Sequence, residues 1–430
     1  MKKLLFITTR LIYPVNSGRK VVLYNYCKGL KELYNCNIYL YSFLEDGESK
    51  ELKQPQFISD VYYAEQPSKI EKLKNLFIHS LIKRDWPLQV SIYYSKKTYT
   101  KLLKIISEIK PEIIICDMAR TAEYLRNICI SNTKKILDMD DLISKRYLRQ
   151  VDNSNLNVNT FGLYAKRLPL WVRKLLNFEK MVKIVLKTEA RLLSKYEIDV
   201  CSDFDNIIFV SPVEAQEYNN KTNSDKAIDV TIGVDYEYFS KQVAVRKYSN
   251  FIGFLGNMYV SHNRDAVHYF LKDIFPKVKQ SRPDAKFRII GRCSDEYKMQ
   301  FKQLDYVEVT GEVEDIRKYV EECSVMVAPL TYGSGIKTKI LETMAMGVPV
   351  VTNDIGVEGI NVKNEEHIFV CNNKEEFSEK IILMLNNIKL NEYISNNSKK
   401  LISEIYTWDN TLRNMEKIFK TNNKYTGDKL

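Results

Sequence analysis

Short apolar runs bounded by turn residues recur along the whole chain, with helix-like stretches between them. That alternation restricts the fold most, because runs that are apolar throughout need cover on both faces of a sheet. In the first half, strands are expected at Leu4–Thr8, Asn37–Phe43, Glu112–Cys116, Lys135–Asp138 and Asn206–Val210, with a helix over Arg19–Tyr34. The second half repeats the scheme more cleanly. Strands are expected at Phe251–Leu255, Lys286–Ile290, Tyr306–Val309, Val325–Ala328, Pro349–Thr352 and Ile368–Cys371, with helices at 262–281, 314–323, 336–346 and 374–386. A chain of 430 residues exceeds what one core usually serves, so two doubly wound α/β domains in series are expected. The join falls near 211–247, where Ser211-Pro212 opens a short helix and Thr231–Asp235 looks like a strand leading into a linker. The tail after Asn387 reads as helical, with a turn near Thr407-Trp408-Asp409.

Composition excludes several classes. Hydrophobic residues make up 45% and charged residues 28%, which rules out a disordered chain, a collagen and a small disulfide scaffold. No window of eighteen apolar residues occurs, so no spanning helix is expected. The opening MKKLLFITTR reads as a first buried strand and not as a signal peptide, because its apolar run is short and no small-residue cleavage site follows. The eight cysteines never form CxxC and there are four histidines, so neither a metal site nor a cofactor is expected, and reduced thiols suit a cytoplasmic protein. Charge is uneven. Residues 1–200 hold 35 Lys and Arg against 21 Asp and Glu, a net of +14, whereas the remainder is slightly acidic. Such asymmetry suits an acidic partner; an anionic membrane surface is expected over nucleic acid, since no nucleic-acid-binding motif accompanies the charge.

The stretch richest in chemistry is PLTYGSGIKTKILETMAMGVPVV, from Pro329 to Val351. A strand ends, a loop turns on Gly333 and Gly335, and a helix begins near Ile336. Glycines let backbone approach a ligand, and the N–H groups of a first helical turn point at it. Lys337 and Lys339 add positive charge there, which makes a plausible diphosphate cradle, and Glu342 two turns in can accept hydrogen bonds from ribose hydroxyls. A plain strand–turn–helix with packing glycines is the alternative. The segment is neither a P-loop nor GxGxxG.

GSGIKTKILETMAMGVPVVTNDIGVEGI resembles the donor-site signature of the retaining nucleotide-sugar glycosyltransferases of family four. FIGFLGNMYVSHNRDAVHYFLKDIFPKV, FRIIGR, VEVTGEVEDIRKYVEECSVMVAPL and YTWDN agree with that family in order and spacing. YPVNSGRK, LDMDDLISKRY and TEARLLSKYE echo its exopolysaccharide-associated sugar transferases. The resemblance implies a GT-B fold: two Rossmann-like domains facing across a cleft, with a C-terminal helix crossing back to the first. On that pattern the N-terminal acceptor-side domain takes 1–240 plus a crossing helix at 408–430, and the nucleotide-sugar domain takes 241–407.

Carried over by position, the resemblance makes Glu342 the ribose ligand. Gly333, Ser334, Gly335, Ile336, Lys337 and Thr338 form the loop and helix start facing the donor sugar and diphosphate. Gly18 closes on the donor from the first domain, and Gly291, Arg292, Gly311 and Val313 lie where the base is contacted. This chain departs from the pattern in three places. The first Glu of the family's paired-Glu element falls on Ser334, the basic pair of the first loop is replaced by Asn257 and Asn263, and the first-domain histidine has no counterpart. Arg264, Lys337 and Lys339 are therefore expected to supply the charge for the leaving diphosphate, with Asn257 kept as a donor contact. His79, in an amphipathic run, reads as a surface or core filler. Asp138 and Asp140 close a strand at the expected ligand-binding edge of the sheet, where a carboxylate can orient the acceptor or the donor ring; solvated or capping carboxylates are the alternative.

The function implied is retaining transfer of a sugar from a nucleoside-diphosphate donor to a glycan or lipid-linked glycan, without a metal, in surface polysaccharide synthesis. An epimerase or hydrolase of nucleotide-sugars and an inactive glycan-binding partner are the rivals. Residues 69–104 and 163–187, the latter bearing Trp171 among Arg173, Lys174, Lys180 and Lys183, are candidate membrane contacts on the inner face of the cell membrane; a core helix with a basic solvated face is the alternative for 163–187.

Overall fold

The computed structural model describes residues 1–15, 17–45, 47–152, 179–242, 249–333 and 335–419. These form two compact units. The first comprises Met1–Asp141, Lys195–Gly233 and the stretch from Trp408; the second comprises Leu142–Ser194 and Val234–Thr407.

The first unit is built on a seven-stranded sheet of β1 (Lys3–Thr8), β2 (Asn37–Ser42), β3 (Ile58–Tyr63), β4 (Ile113–Asp117), β5 (Lys134–Asp140), β6 (Asn206–Phe209) and β7 (Ala227–Asp229). The order is β3-β2-β1-β4-β5-β6-β7 and every pairing is parallel. Five of these strands lie where the apolar runs predict them; β3 and β7, the two edges, were not anticipated. Thr231–Asp235 forms no strand, and Val234 makes only an isolated bridge with Thr407. The Gly18–Tyr34 helix buries Val22, Leu23, Tyr26, Cys27 and Leu30 along one face, as helical spacing requires, and stops at Asn35 in the left-handed region. Gly29 on that face is needed. A β-carbon there would come 2.1 Å from Leu412 of the Trp408–Asn414 helix, whose Leu412 joins Met415 and Ile418 in the core of this unit.

The second unit holds a six-stranded sheet of β8 (Phe251–Leu255), β9 (Lys286–Ile290), β10 (Val307–Gly311), β11 (Val325–Ala328), β12 (Val350–Thr352) and β13 (Phe369–Val370). Its order is β10-β9-β8-β11-β12-β13, again parallel throughout. All six strands fall on the expected runs. The helix expected over 262–281 is instead Ser261–Tyr269, a π-helical turn at Phe270–Ile274, and Phe275–Ser281. Pro276 has no N–H to give the preceding turn, which accounts for the shifted ladder. Apolar side chains pack on both faces of the sheet, with Phe270 against Phe287 on one and Ile340, Leu341 and Met344 on the other.

Each sheet therefore reverses its strand order once, between β1 and β4 in the first unit and between β8 and β11 in the second. In open parallel sheets, ligands collect at the carboxyl edge beside such a reversal.

Candidate active site

In the second unit the reversal is bordered by the loop after β8, which enters the Ser261–Tyr269 helix, and by the loop after β11, which enters the Thr338–Ala345 helix. The β11 loop turns on Gly333 (φ 153°) and Gly335 (φ 63°), conformations that side-chain-bearing residues avoid. Lys337 stands at the cap position of the helix, and its side chain makes no capping hydrogen bond to the first turn, which Thr338 opens. Buried Lys337 donates from Nζ to Gly335 O at 2.5 Å. Arg149, from the Ile143–Asp152 helix, braces the turn: Nη1 donates to Gly333 O at 2.8 Å, while Nη1 and Nη2 grip Glu358 at 2.6 and 2.9 Å. Lys145 adds a second cation to Glu358 at 3.3 Å.

Positive charge is concentrated here. Lys339 Nζ donates to Asn263 Oδ1 at 2.7 Å and lies 4.4 Å from the Phe254 ring centre. Burial, and then the charge of Lys337, pull its pKa down to about 7. His262 is held well below the usual imidazole range by burial and by Lys339, Lys337 and Arg146. Its ring meets Tyr332 edge-on, and the Tyr332 hydroxyl donates to Asp265 at 2.7 Å. Glu342 sits half-buried on the same helix, pushed up to about 7 by burial alone, and no hydrogen bond or ion pair reaches its carboxylate among the described residues. Lys337, Lys339 and Arg146 thus bring positive charge together beside the start of the Thr338–Ala345 helix, an arrangement that suits an anion.

The remaining expected residues divide. Asn257 stays local: its Oδ1 accepts from Tyr259 N at 2.9 Å and its carbonyl from Asn263 Nδ2 at 2.9 Å. Arg264 does not join the lysines by any described contact. Its Nη1 donates to Met258 O at 2.6 Å, and its charge acts on Tyr297. Gly291 (φ 132°) lies so close to the loop after β8 that a β-carbon would meet Gly256 O at 2.2 Å. Arg292 pairs with Glu312 at 2.7 Å across the loops after β9 and β10, between Gly311 and Val313. Ile336 is buried in the core beneath the helix start. Ser334 lies outside the described residues, as do Trp171, Arg173 and Lys174. Sequence reasoning missed His262, Tyr332, Asp265, Arg146, Arg149 and Glu358; for the first three, the signal was adjacency to Asn263 and to the glycine turn.

Residues 249–387 match the family model of glycosyl transferases group 1. Over 98% of its length the chain is 22% identical to an uncharacterized 44.6 kDa protein of the cps region of Klebsiella pneumoniae, covering all of that protein. An uncharacterized glycosyltransferase of Methanocaldococcus jannaschii is 23% identical over 74% of this chain and 92% of its own. Among solved structures, S. aureus TarM, as a mutant in complex with Fondaparinux, alpha-GlcNAc-glycerol and UDP, superposes with a TM-score of 0.66 at 14% identity, over 98% of this chain and 100% of that one. Anabaena HepE in complex with UDP and glucose gives 0.63 at 12% identity, over 97% and 99%. The fold is thus that of the GT-B glycosyltransferases.

Outside residues 249–387, the first unit has its own cluster at the β1/β4 reversal. Arg19, one residue past Gly18 at the start of its helix, contacts Asp117 at 2.8 Å, Asp138 at 2.6 Å and Asp140 at 2.9 Å. Thr9 donates to Asp117 through N and Oγ1, at 3.2 and 2.8 Å. Burial pushes Asp117 up, but Arg19, Arg10 and these hydrogen bonds prevail and hold it below the usual range. Asp138 is fully buried; burial outweighs Arg19 and, with Asp140 and Asp117 adding repulsion, raises it to about 7. The two expected catalytic carboxylates are thus tied to a guanidinium, with Asp140, in the left-handed region at φ 68°, the more accessible. Gly18 borders this cluster with open space where a β-carbon would stand. Among the described residues no group of three or more His, Cys, Asp and Glu is arranged to hold a metal ion.

Proposed function

We propose that the protein transfers a sugar, with retention, from a nucleoside diphosphate to a glycan or lipid-linked glycan in surface polysaccharide synthesis. The observation that carries this reading is the unpartnered Glu342 carboxylate on the helix whose first turn is lined by Lys337 and Lys339. That arrangement suits ribose hydroxyls at the carboxylate and a diphosphate at the cations. In the proposed step, the bond between the anomeric carbon and the diphosphate oxygen breaks as charge gathers on that oxygen, and the acceptor hydroxyl oxygen bonds to the anomeric carbon on the same face. Protonated Lys339, Lys337 and the helix N–H groups stabilise that charge without a metal, and the leaving phosphate oxygen takes the acceptor's proton. The match to a cps-region relative supports polysaccharide synthesis as the setting. The net charge of +14 over residues 1–200 supports reading the protein as peripheral on the inner face of the cell membrane; no described helix is long and apolar enough to cross a membrane.

A thermal-shift screen over nucleoside diphosphates and their sugars, followed by product analysis with glycan acceptors, tests the proposal. Donor turnover that depends on acceptor, with the anomeric configuration kept, is the expected result. Epimerisation of free donor, or nucleotide binding with no turnover for any acceptor, overturns it.

A further inference from the structure

The helix that runs from Lys69 to Asn75 and continues in π-helical register from Leu76 to Lys83 is turned inside out with respect to water. Its inward face carries buried Leu76 and is fastened by two polar groups. Asn75 is buried and donates from Nδ2 to Ser91 O at 3.0 Å and to Tyr94 O at 2.9 Å. Ser80, also buried, shares a hydrogen with Ser91 Oγ at 2.8 Å. The outward face carries the large apolar side chains: Ile70 is 80% exposed, Leu73 42%, Phe77 59%, Leu81 59% and Ile82 62%. Steps of three and four residues set Ile70, Leu73, Phe77 and Leu81 in one stripe, with Ile82 next to Leu81 in sequence. A monomer in water gains nothing from such a stripe, and contiguous exposed apolar surface marks an interaction site.

Charge selects the partner. Lys69, Lys72, Lys74, Lys83 and Arg84 border the stripe, and the one acid between residues 69 and 84, Glu71, is occupied by the Lys96 N–H at 2.9 Å. A second copy of this chain would bring the same basic border against itself, because a twofold contact is self-complementary. An anionic bilayer meets both features, with headgroups for the cations and acyl chains for the apolar residues. We propose that this face of the Lys69–Lys83 helix is where the protein lies on an anionic lipid surface. The proposal deepens the peripheral attachment named above by giving it a surface.

The test is sedimentation with vesicles of phosphatidylcholine alone and of phosphatidylcholine mixed with phosphatidylglycerol. It uses the full chain, a Phe77→Ser/Leu81→Ser double variant and a Lys69→Glu/Lys74→Glu/Lys83→Glu triple variant. The substituted side chains are exposed, so the fold is retained. Wild type should bind the acidic vesicles roughly tenfold more than the neutral ones, and each variant should lose about tenfold on acidic vesicles while keeping its nucleoside-diphosphate affinity. If wild type binds acidic vesicles and the double variant binds equally, attachment stands and this surface is wrong. If wild type ignores them at low salt, both fail. A wild-type dimer in sedimentation velocity that the double variant splits overturns the proposal in favour of self-association.

Discussion

Lys339 Nζ gives its hydrogen bond to the neutral amide of Asn263, at 2.7 Å. An amide holds the ammonium in place without cancelling its charge, so the charge is left for a ligand. Burial and the charge of Lys337 pull the pKa of Lys339 down to about 7, so its amine titrates near neutral pH, and a bound diphosphate favours the protonated form. Nucleoside-diphosphate affinity should therefore be flat on the acid side of that value and fall on the alkaline side, by up to about 1.4 kcal/mol per pH unit. Calorimetric titrations across this range should lose the alkaline fall in Lys339→Arg and show weak, flat binding in Lys339→Ala. An alkaline fall that persists in Lys339→Arg assigns the titration to another group.

Glu342 should trade stability for binding. Its folded pKa, about 7, lies above the unfolded value, so burial weakens the folded state increasingly as the carboxyl ionises through that range. Glu342→Gln removes the charge and should raise Tm at pH 8, with no gain at pH 4. The same substitution should weaken nucleoside-diphosphate binding by about 1–3 kcal/mol, the usual value of hydrogen bonds to a charged acceptor. Thermal melts with and without nucleotide read both. Unchanged affinity removes Glu342 from the donor site.

Arg149 acts through the glycine turn that it braces. Arg149→Ala leaves the Gly333 carbonyl without that donor and takes the fork away from Glu358, which should loosen the turn before the Thr338–Ala345 helix. Turnover should fall about tenfold, equivalent to about 1.4 kcal/mol, with Tm little changed. Arg149→Lys should recover part of the loss, since a lysine keeps one contact and not the fork. Full activity in Arg149→Ala makes the brace dispensable.

Arg19 should matter to folding before it matters to chemistry. Arg19→Met leaves Asp117, Asp138 and Asp140 together at the sheet edge without their common cation. The loss should be about 3–5 kcal/mol at pH 8, as for other broken buried pairs. Protonation of the stranded carboxyls relieves it, so urea melts at pH 5 should show a smaller deficit than at pH 8. An equal deficit at both values argues that the carboxylates are not the cause.

The second unit was legible because its strands are buried on both faces and therefore read as unbroken apolar runs. In the first unit β3 was missed: ISDVYY places Asp60 in an exposed edge strand, where only part of each residue is covered. The three-residue β7 is too short to carry a period. The glycine turn and the lysines announced an anion site by type and spacing. Asp138 and Asp140 were legible as carboxylates at the sheet edge, but their meeting with Asp117 around Arg19 was not, because sheet order brings them together from two other strands and no local pattern encodes it. Arg149 and Glu358 escaped for the same reason. The amphipathic run around Phe77 was visible as such, but its inward face was not, because Asn75 and Ser80 read as surface residues until their partners on the following helix are known.

The close seat of Leu412 against Gly29 bears on how the chain is made. The first unit is interrupted by the second and completed only by the segment from Trp408 onward. During synthesis its sheet emerges early, yet the apolar surface that Leu412, Met415 and Ile418 cover stays open until the whole second unit has left the ribosome. Nascent chains stopped short of Trp408 should therefore display a sticky half-finished unit beside a finished one. Premature release there, more than any single substitution in either sheet, is the event against which a cell would need a chaperone.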